Sequence, residues 1–293
     1  MQKIYLIDAS PYIFRAYFSI PSSLRTPDGA PANAVYGYTA FLLDLLKKEK
    51  PTHLAVAFDG SLTTSFRNEI YPQYKAQREK PDDELYAQLK ACRDVTEALG
   101  MKWYIDDRYE ADDIIGTIAA KLSKNDCRFV VVSGDKDLAQ LVNKGTSLWD
   151  FAKDRWFDEK TVKQHFGVRA NQIVDLLALM GDAVDNIPGV KGVGEKTAVE
   201  LLRKFTGVEE IYQKIEKVEK LTIRGAQAIR AKLEASQDMA FLSKQLATIA
   251  VDAPVKASLR ELKYAGADKK NVDELFDQLG FGKIRERISK WKK

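Results

Sequence analysis

Short apolar runs alternate with amphipathic stretches over the first half of the chain. The runs KIYLID, HLAVAFD and RFVVVSGD have the continuous apolar pattern of buried parallel strands. The segment AVYGYTAFLLDLLKKEK, between the first two runs, predicts a helix, so the first 60 residues predict a parallel βαβ unit. TSLWDF and DRWFD predict a short strand pair, and helical patterns dominate from Thr161 onward. The fold class predicted is α/β with a mainly parallel sheet.

A long insert delays the next predicted strand, from Ser61 to Tyr109. Its first half is polar, rich in Tyr, Lys and Arg, and broken by Pro72 and Pro81. Its second half, DELYAQLKACRDVTEALG, has an amphipathic helix pattern that ends at a glycine. A long insertion beside an active or binding site usually contributes to function, and the acidic residues described below flank this insert. We place a change of domain near Gly181, where the βαβ rhythm stops.

Composition favours a globular protein of a reducing compartment. The chain has 293 residues, of which 45% are hydrophobic, enough for one large domain or two modest ones. No stretch approaches the length needed to cross a bilayer, and the N-terminus enters a strand without a leader pattern. Two cysteines imply no disulfide framework. These features predict a cytoplasmic protein that does not bind membranes.

Charge is distributed unevenly along the chain. The net charge is only +4, but residues 187–232 carry ten Lys/Arg against six Glu, and the terminal KIRERISKWKK carries six Lys/Arg against one Glu. Solvated helix faces are the alternative explanation, which we favour for the tail taken alone. Together with acidic residues earlier in the chain, this asymmetry suits a polyanionic substrate that is held by basic residues.

Acidic residues recur at the ends of apolar runs or in tight clusters. The set comprises Asp8, Asp59, Glu110, Asp112, Asp113, Asp135, Asp137, Asp182 and Asp185. Carboxylates that are packed together repel, so at neutral pH they stay ionised only with cations nearby. Oxygen ligands select hard ions such as Mg²⁺ or Mn²⁺. Zinc is disfavoured because the two His and two Cys lie far apart in sequence.

Each of these acids has a simpler explanation as a helix cap or loop residue. The spacing of the set argues against that explanation for all of them at once. YEADDIIGTIAAKL places three acids in the first turn of a helix, GDKDLAQL places two in a strand-to-helix loop, and GDAVDNIPG places two one helical turn apart. Because the carboxyl ends of parallel strands share one edge, we expect the strand-end acids to meet there.

The segment NIPGVKGVGEKTAVELLRKF is rich in glycine but matches neither nucleotide-binding motif. Glu195 stands where a P-loop needs Lys, and the third glycine of a dinucleotide fingerprint is missing. We interpret the segment as two short helices joined by a glycine hairpin whose N–H groups face a nucleic-acid phosphate. Such a contact reads the backbone and not the sequence. A plain helix–turn–helix connector is the alternative.

The ordered motifs LIDASPYIFRAY, FDGSLTTSFR, YPQYKAQR, YEADDIIGTIA, SGDKDLAQL and GDAVDNIPGVKGVGEKTA resemble those of the 5′ nuclease family. This family forms the N-terminal part of bacterial DNA polymerase I and includes phage and flap-endonuclease relatives. The resemblance covers nearly the whole chain. It implies a PIN-like, Rossmann-like catalytic domain over residues 1–180 with a helical arch insertion at about 62–108. A helical DNA-binding domain over 181–293 follows, with a helix-hairpin-helix-like motif at about 185–204.

The resemblance also implies roles for individual residues. One divalent ion is expected at Asp8, Asp59, Glu110 and Asp112, a second at Asp137, Asp182 and Asp185, with Asp135 between them and Asp113 supporting the cluster. The arch would place Tyr74 against a base and Lys75 and Arg78 at the scissile phosphate. Lys75, Arg78, Asp112 and Asp135 are the expected catalytic residues. Further DNA contacts are expected from Arg15, Arg67, Gly189, Gly192, Gly194, Lys196 and Thr197.

The implied function is 5′–3′ exonuclease and flap endonuclease activity in DNA replication and repair, giving 5′-phosphate products by a two-metal mechanism. Mg²⁺ is the expected cofactor, with Mn²⁺ as a substitute and K⁺ at the hairpin. The expected partner is DNA with 5′ flaps, 5′ overhangs, nicks or RNA-primed ends, bound by a monomer. Two alternatives are a phosphatase built on Asp135 and Asp137, disfavoured by Ala139, and a non-catalytic DNA-binding protein. The second would gain nothing from packing acids against an anionic partner.

Overall fold

A six-stranded sheet forms the centre of the computed structural model, which describes residues 2–61, 64–79 and 81–292. The strand order is β3-β2-β1-β4-β5-β6. Strands β1 to β5 are parallel to their neighbours, and β6 pairs antiparallel with β5. Their bounds are β1 Gln2–Asp8, β2 His53–Asp59, β3 Lys102–Asp106, β4 Cys127–Val132, β5 Thr146–Asp150 and β6 Arg155–Phe157. The mainly parallel α/β sheet is confirmed.

Helices cover both faces of the sheet and build the second half of the chain. Their bounds are α1 Ser10–Ser19, α2 Asn33–Glu49, α3 Phe66–Ile70, α4 Asp83–Ala98, α5 Ala111–Leu122, α6 Glu159–Phe166, α7 Ile173–Met180, α8 Glu195–Leu202, α9 Val208–Gln213, α10 Ala226–Ala235, α11 Gln237–Ala247, α12 Lys269–Leu279 and α13 Gly282–Arg285. Short 3₁₀ turns lie at residues 137–141, 151–153, 170–172 and 215–220. None of the described helices is long and apolar enough to cross a membrane.

Strand β1 shows why the sheet is buried on both faces. Ile4 and Leu6 point to one side and Tyr5 and Ile7 to the other, and all four side chains are buried. One core joins the first side to α5 and to helices α7 through α11. The other core joins the second side to α1, α2 and α4. Helices on both faces cover the continuous apolar pattern of the parallel strands.

The end of the chain returns to the sheet domain. Val272 and Phe276 of α12 and Ile284 of α13 belong to the same core as α2 and α4. The sequence pattern gave no sign of this return, because an amphipathic helix does not reveal which partner covers its apolar face. The predicted division at 180/181 falls at the end of α7, and the helical domain over 181–293 stays a prediction.

The predicted arch insertion also contains parts of the sheet domain. Residues 102–106 form β3, which pairs in parallel with β2, and α4 packs its apolar face against α2. The segment that departs from the βαβ pattern is therefore shorter than 62–108 and lies between β2 and α4. Its described residues form only one regular helix, α3, followed by turns. Glycine at position 60 permits the close approach of the β2 and β3 ends, because a Cβ there would lie 2.2 Å from the Asp106 carbonyl oxygen.

Candidate active site

Carboxylates gather at the carboxyl edge of the sheet, as the sequence predicts. Asp8 and Asp59 are the last residues of β1 and β2, which pair side by side. Asp135 follows β4, the neighbour of β1 on the other side. Glu110 and Asp112 lie at the start of α5, and the backbone N–H of Ala111 donates to Asp59 Oδ1 at 2.8 Å. The start of α5 is thereby attached to the strand ends.

Two serines that the sequence analysis did not assign hold the strand-end acids. Ser133 Oγ donates to Asp8 Oδ2 at 2.8 Å, and Ser10 Oγ donates to Asp59 Oδ2 at 2.5 Å. Ser133 Oγ also accepts the N–H of Asp135 at 2.9 Å. The sequence could have indicated these serines by their positions, because Ser10 lies two residues after Asp8 and Ser133 lies two residues before Asp135. Asp8 Oδ1 also accepts the N–H of Ser10 at 3.3 Å, so each oxygen of the two acids has one protein donor that orients it and a second lone pair for a ligand.

Burial and mutual repulsion make these acids costly to ionise. Burial, then the charge of Asp59, raises the pKa of Asp8. Burial also raises the pKa of Asp59, Asp112 and Asp135, and Asp113 adds to the effect on Asp112. Burial raises the pKa of Glu110 as well, but Lys75 and Arg67 outweigh it and the net pKa is lowered. A site of this kind favours a cation.

A second group of acids lies beside the first. Asp137 begins a 3₁₀ turn after β4, and burial followed by Asp135 raises its pKa to about 8. Its Oδ1 is buried without a hydrogen-bond partner. Asp182 and Asp185 lie in the 181–187 loop, where Asp182 Oδ1 accepts the Val184 N–H at 2.6 Å. The unpartnered oxygen is suited to a ligand that the protein itself does not provide.

Basic side chains from the insert connect the two acidic groups. Lys75 Nζ lies 2.8 Å from Glu110 Oε2 and 3.7 Å from Asp185 Oδ2. Arg78 Nη2 lies 2.5 Å from Asp185 Oδ1. Burial lowers the pKa of Lys75, but Glu110 and Asp185 outweigh it and raise it to about 12. Lys75 is therefore a fixed positive charge in the middle of the site.

The segment that carries these cations, which we call the arch segment (residues 71–78), is docked on the 181–187 loop. The Lys75 N–H donates to Asp185 O at 3.0 Å, and Asn186 Nδ2 donates to Gln73 O at 2.7 Å. Gln77 Nε2 donates to the carbonyls of Ala183 and Val184 at 3.0 and 2.9 Å. Lys75 has a backbone φ of 55°, in the left-handed region that residues other than glycine rarely adopt, and the contacts with the 181–187 loop hold it there.

The donor set fits hard divalent cations. It consists of carboxylate oxygens, several of them buried, and includes the unpartnered oxygen of Asp137. In this conformation no three acidic, His or Cys side chains of the described residues converge on a common ion position. Lys75, Arg78 and Lys136 instead form ion pairs with the acids. Binding of an ion would therefore require these side chains to move.

Two predicted site residues form a structural pair instead. Arg67 is 1% exposed, and its guanidinium donates to both oxygens of Asp113, each at 2.8 Å. It also donates to the carbonyls of Leu246 and Thr248 at 2.8 and 2.9 Å. The N–H groups of Glu110 and Ala250 complete the partners of Asp113. With these polar atoms occupied, Arg67 and Asp113 hold the fold together in this conformation. Their predicted roles, a phosphate contact for Arg67 and support of the metal cluster for Asp113, stay predictions.

Tyr74 is also placed differently from its prediction. Its ring is 3% exposed, and its hydroxyl donates to Glu110 Oε2 at 3.1 Å and to Asp185 Oδ2 at 3.3 Å. A buried ring cannot stack on a base. Tyr74 supports the carboxylates by hydrogen bonding, which sequence alone could not distinguish from stacking.

The glycine hairpin joins α7 to α8, so the two-helix unit begins before the predicted start at 185. Gly192, Gly194 and Lys196 are exposed and Thr197 is half-buried. The first N–H groups of α8 lack acceptors within the helix. Gly189 differs, because it is buried and its N–H donates to Ser243 Oγ at 2.9 Å. Gly189 packs against Gly181 rather than facing a ligand.

Arg15 lies exposed on α1, the helix that follows Asp8. It lines a shallow cavity with Tyr12 and Asp44. Its position leaves it accessible to a ligand at this edge of the sheet.

Two family models match consecutive parts of the chain. The 5′-3′ exonuclease N-terminal resolvase-like domain matches residues 3–167. The 5′-3′ exonuclease C-terminal SAM fold matches residues 168–270. The first match alone covers more than half of the chain and reaches all six strands of the sheet.

Similar proteins include bacterial DNA polymerases I. The chain is 40% identical over 291 residues to DNA polymerase I of Bacillus subtilis, which covers 98% of this chain and 32% of that protein. It is 41% identical over 292 residues to DNA polymerase I of Bacillus caldotenax, with 98% and 32% coverage. The chain spans about a third of the length of these relatives.

Solved structures share the fold. The 5′-exonuclease of bacteriophage T5 with bound zinc superposes with a TM-score of 0.70 at 23% identity, covering 95% of this chain and all of that chain. A flap endonuclease of the same phage, in a complex with DNA and metal ions, gives the same TM-score and identity. The catalytic core of Rad2 with a DNA substrate gives a TM-score of 0.60 at 16% identity. The family models and the DNA polymerase relatives show that this chain belongs to the 5′-3′ exonuclease family.

Proposed function

We propose that this chain is a structure-specific 5′ nuclease that hydrolyses DNA at 5′ flaps, overhangs and nicks and leaves 5′-phosphate products. The observation that supports this most directly is the buried carboxylate cluster at the sheet edge with Lys75 in contact with it. A phosphodiester requires cations to offset its charge during attack, and a cluster of acids can hold them.

The carboxylates divide into two groups that would each hold one divalent ion, Mg²⁺ or Mn²⁺. Asp8, Asp59, Glu110 and Asp112 would form the first and Asp137, Asp182 and Asp185 the second, with Asp135 between them. When bound, the ions would supply Lewis-acid activation of water and offset charge on the scissile phosphate. Ser10 and Ser133 keep the strand-end acids oriented for this task.

Lys75 and Arg78 would bind the scissile phosphate. Both now form ion pairs with Glu110 or Asp185. If divalent ions neutralise those carboxylates, the two cations can turn to the phosphate, where their charge stabilises the negative charge that develops. Lys75 is held by its backbone contact with Asp185, so it would remain at the site while its ammonium changes partner.

An unpaired strand requires an exposed aromatic surface, which Tyr74 does not provide. A cavity of about 540 Å³ adjoins Asp59 and is lined by Tyr86 and Arg93 of α4. Tyr86 is 71% exposed. We assign base stacking to Tyr86, because its exposed ring lies on the cavity beside Asp59. Stacking on a ring accepts any base and therefore needs no particular DNA sequence.

Duplex DNA would lie on the glycine hairpin and the basic helical surface. Gly192, Gly194, Lys196 and Thr197 offer backbone N–H groups and charge to a phosphate. A K⁺ ion at the hairpin has weaker support, because Lys232 Nζ already donates to Gly192 O at 3.1 Å.

We place the proposed nuclease activity in the cytoplasm, in a monomer that acts in DNA replication and repair. RNA-primed ends are a further proposed substrate.

A panel of labelled substrates tests the proposed substrate class. With Mg²⁺ the chain should cleave 5′-flap DNA near the junction faster than a 3′ flap or an intact duplex, and EDTA should abolish the product. Equal cleavage of 3′ and 5′ flaps would contradict the proposed specificity. Binding to flap DNA without any product in Mg²⁺ or Mn²⁺ would favour a non-catalytic DNA-binding protein.

A further inference from the structure

Lys136 lies in the turn that follows β4, between Asp135 and Asp137 in the sequence, which are both predicted metal ligands. Its ammonium reaches across to the 181–187 loop, where Nζ lies 3.1 Å from Asp182 Oδ2. The side chain of Lys136 is 52% exposed, whereas that of Asp182 is 5% exposed. A half-exposed cation therefore pairs with a buried acid of the second group.

The two oxygens of Asp182 have different roles. Oδ1 accepts the N–H groups of Val184 and Asp185 at 2.6 and 3.3 Å and so shapes the loop. Oδ2 has Lys136 as its partner. An ion that used Asp182 as a ligand would take Oδ2, the oxygen that Lys136 now occupies. The ammonium and the metal ion would compete for one atom.

We propose that Lys136 is a positioning residue, a built-in counter-ion of the second metal position that holds Asp182 in place until a divalent ion displaces it. This inference rests on the proposed function, since it requires Asp182 to be a metal ligand. Without metal, Lys136 offsets the repulsion among Asp135, Asp137 and Asp182. When metal binds, the half-exposed lysine can return to water at little cost, because part-exposed ion pairs are weak.

The competition makes a measurable prediction for metal affinity. Removing Lys136 should strengthen binding at the second position, because Asp182 Oδ2 becomes free. It should also weaken the metal-free fold, because a buried acid loses its partner. A purely structural lysine would produce the second effect without the first.

Isothermal titration of the metal-free full chain with Ca²⁺, in the absence of DNA, tests the proposal. The variants are Lys136→Met and the matched control Lys153→Met. Lys153 is 64% exposed and its Nζ lies 3.2 Å from Oδ2 of the buried Asp150, which is not a predicted ligand. The control therefore removes the same charge and the same kind of ion pair. Thermal unfolding in EDTA and in Ca²⁺ is measured in parallel.

Two Ca²⁺ ions should bind, and we assign the more weakly bound ion to the second position. Its dissociation constant should be roughly three- to fivefold lower for Lys136→Met than for the wild type, the scale of a part-exposed ion pair. Lys153→Met should stay within about twofold of the wild type by the same reasoning. The gain in Tm on adding Ca²⁺ should be larger for Lys136→Met. In an Asp182→Asn background, the effect of Lys136→Met on affinity should disappear.

Two results would overturn the inference, and they are distinguishable. If the wild type binds Ca²⁺ but Lys136→Met binds it no more tightly than Lys153→Met, the counter-ion role is wrong and the proposed metal centre stands. If the wild type binds no Ca²⁺, Mg²⁺ or Mn²⁺, the proposed metal centre fails and this inference fails with it.

Discussion

Ion pairs at the site show how single residues keep a dense cluster of acids stable. Lys75 contacts Glu110 and lies near Asp185, so one ammonium serves acids from two different loops. Arg67 serves a different purpose, because its hydrogen bonds go to Asp113 and nearby carbonyls, while Glu110 Oε2 lies farther away, at 3.6 Å from Nη1. Two basic residues eight positions apart thus differ in function, one facing the site and one holding the fold.

Lys75→Ala tests the site-facing role. Because Lys75 would act mainly on the charge that develops during cleavage, the single-turnover rate should fall by about 100-fold or more. Affinity for flap DNA should change by less than about threefold, since Lys75 would be one phosphate contact among several. Rapid-quench kinetics and fluorescence anisotropy give the two values. The exposed Lys124 supplies the control Lys124→Ala. Lost affinity with a normal rate would contradict the role.

Arg67→Met tests the structural role. Loss of the guanidinium leaves Asp113 buried without its ionic partner, which should lower the free energy of unfolding by about 3–5 kcal/mol. Urea denaturation followed by circular dichroism measures this change. Wild-type stability combined with weaker DNA binding would contradict the structural role and support the predicted phosphate contact of Arg67.

Among the elements, the arch segment is attached to the loop that carries the second group of acids. Gln77, Asn186 and the Lys75 backbone all connect residues 71–78 to residues 183–186. This loop also leads directly into the glycine hairpin and α8. The cations of the arch segment, the acids and the glycine hairpin are therefore parts of one connected unit. If the hairpin binds DNA as proposed, this unit would link the position of the duplex to the cleaved phosphate.

Gln77→Ala tests this attachment. The variant removes two hydrogen bonds to the 181–187 loop. Hydrogen exchange of amides in the arch segment, including that of Lys75, should become faster, because these amides depend on docking for protection. Exchange in α5 should not change, which provides an internal control. Unchanged exchange in the arch segment would show that the docking contacts are not needed to hold it.

Across the whole molecule, the acids at the sheet edge oppose folding when no metal is bound. Asp8, Asp59, Asp112, Asp135 and Asp137 all have a raised pKa in the folded chain. A folded-state pKa above the unfolded value means that the folded chain binds more protons between the two values. The contribution of these acids to the free energy of unfolding is therefore full at low pH and is lost as pH rises through the folded pKa.

The expected consequence is a pH-dependent stability that metal removes. In EDTA, Tm should fall as pH rises from about 5 through about 8, the pKa of Asp137. In Mg²⁺ the decline should be smaller, because bound ions favour the ionised acids. Differential scanning calorimetry across this range measures both curves. A Tm that rises with pH in EDTA would contradict the account of the acids.

Sequence patterns predicted the sheet and its acidic edge because both depend on local features, the apolar runs and the residues that end them. The role of Arg67 could not be predicted, because its partners Asp113 and Leu246 are distant in sequence and meet only after folding. The burial of Tyr74 has the same origin. β3 was missed because its short apolar run, KWYID, is enclosed in polar sequence. Short edge strands give a weak pattern.

Single-turnover cleavage of a 5′-labelled flap substrate, measured against Mg²⁺ concentration, tests the central claim that these acids form a two-ion nuclease site. The wild-type rate should rise more steeply than the first power of Mg²⁺ concentration, and EDTA should abolish it. Asp112→Asn and Asp182→Asn should each reduce the rate at saturating Mg²⁺, by about 100-fold or more if each acid supports the transition state. Equal rates in Mg²⁺ and EDTA, or unchanged rates in both variants, would contradict the claim.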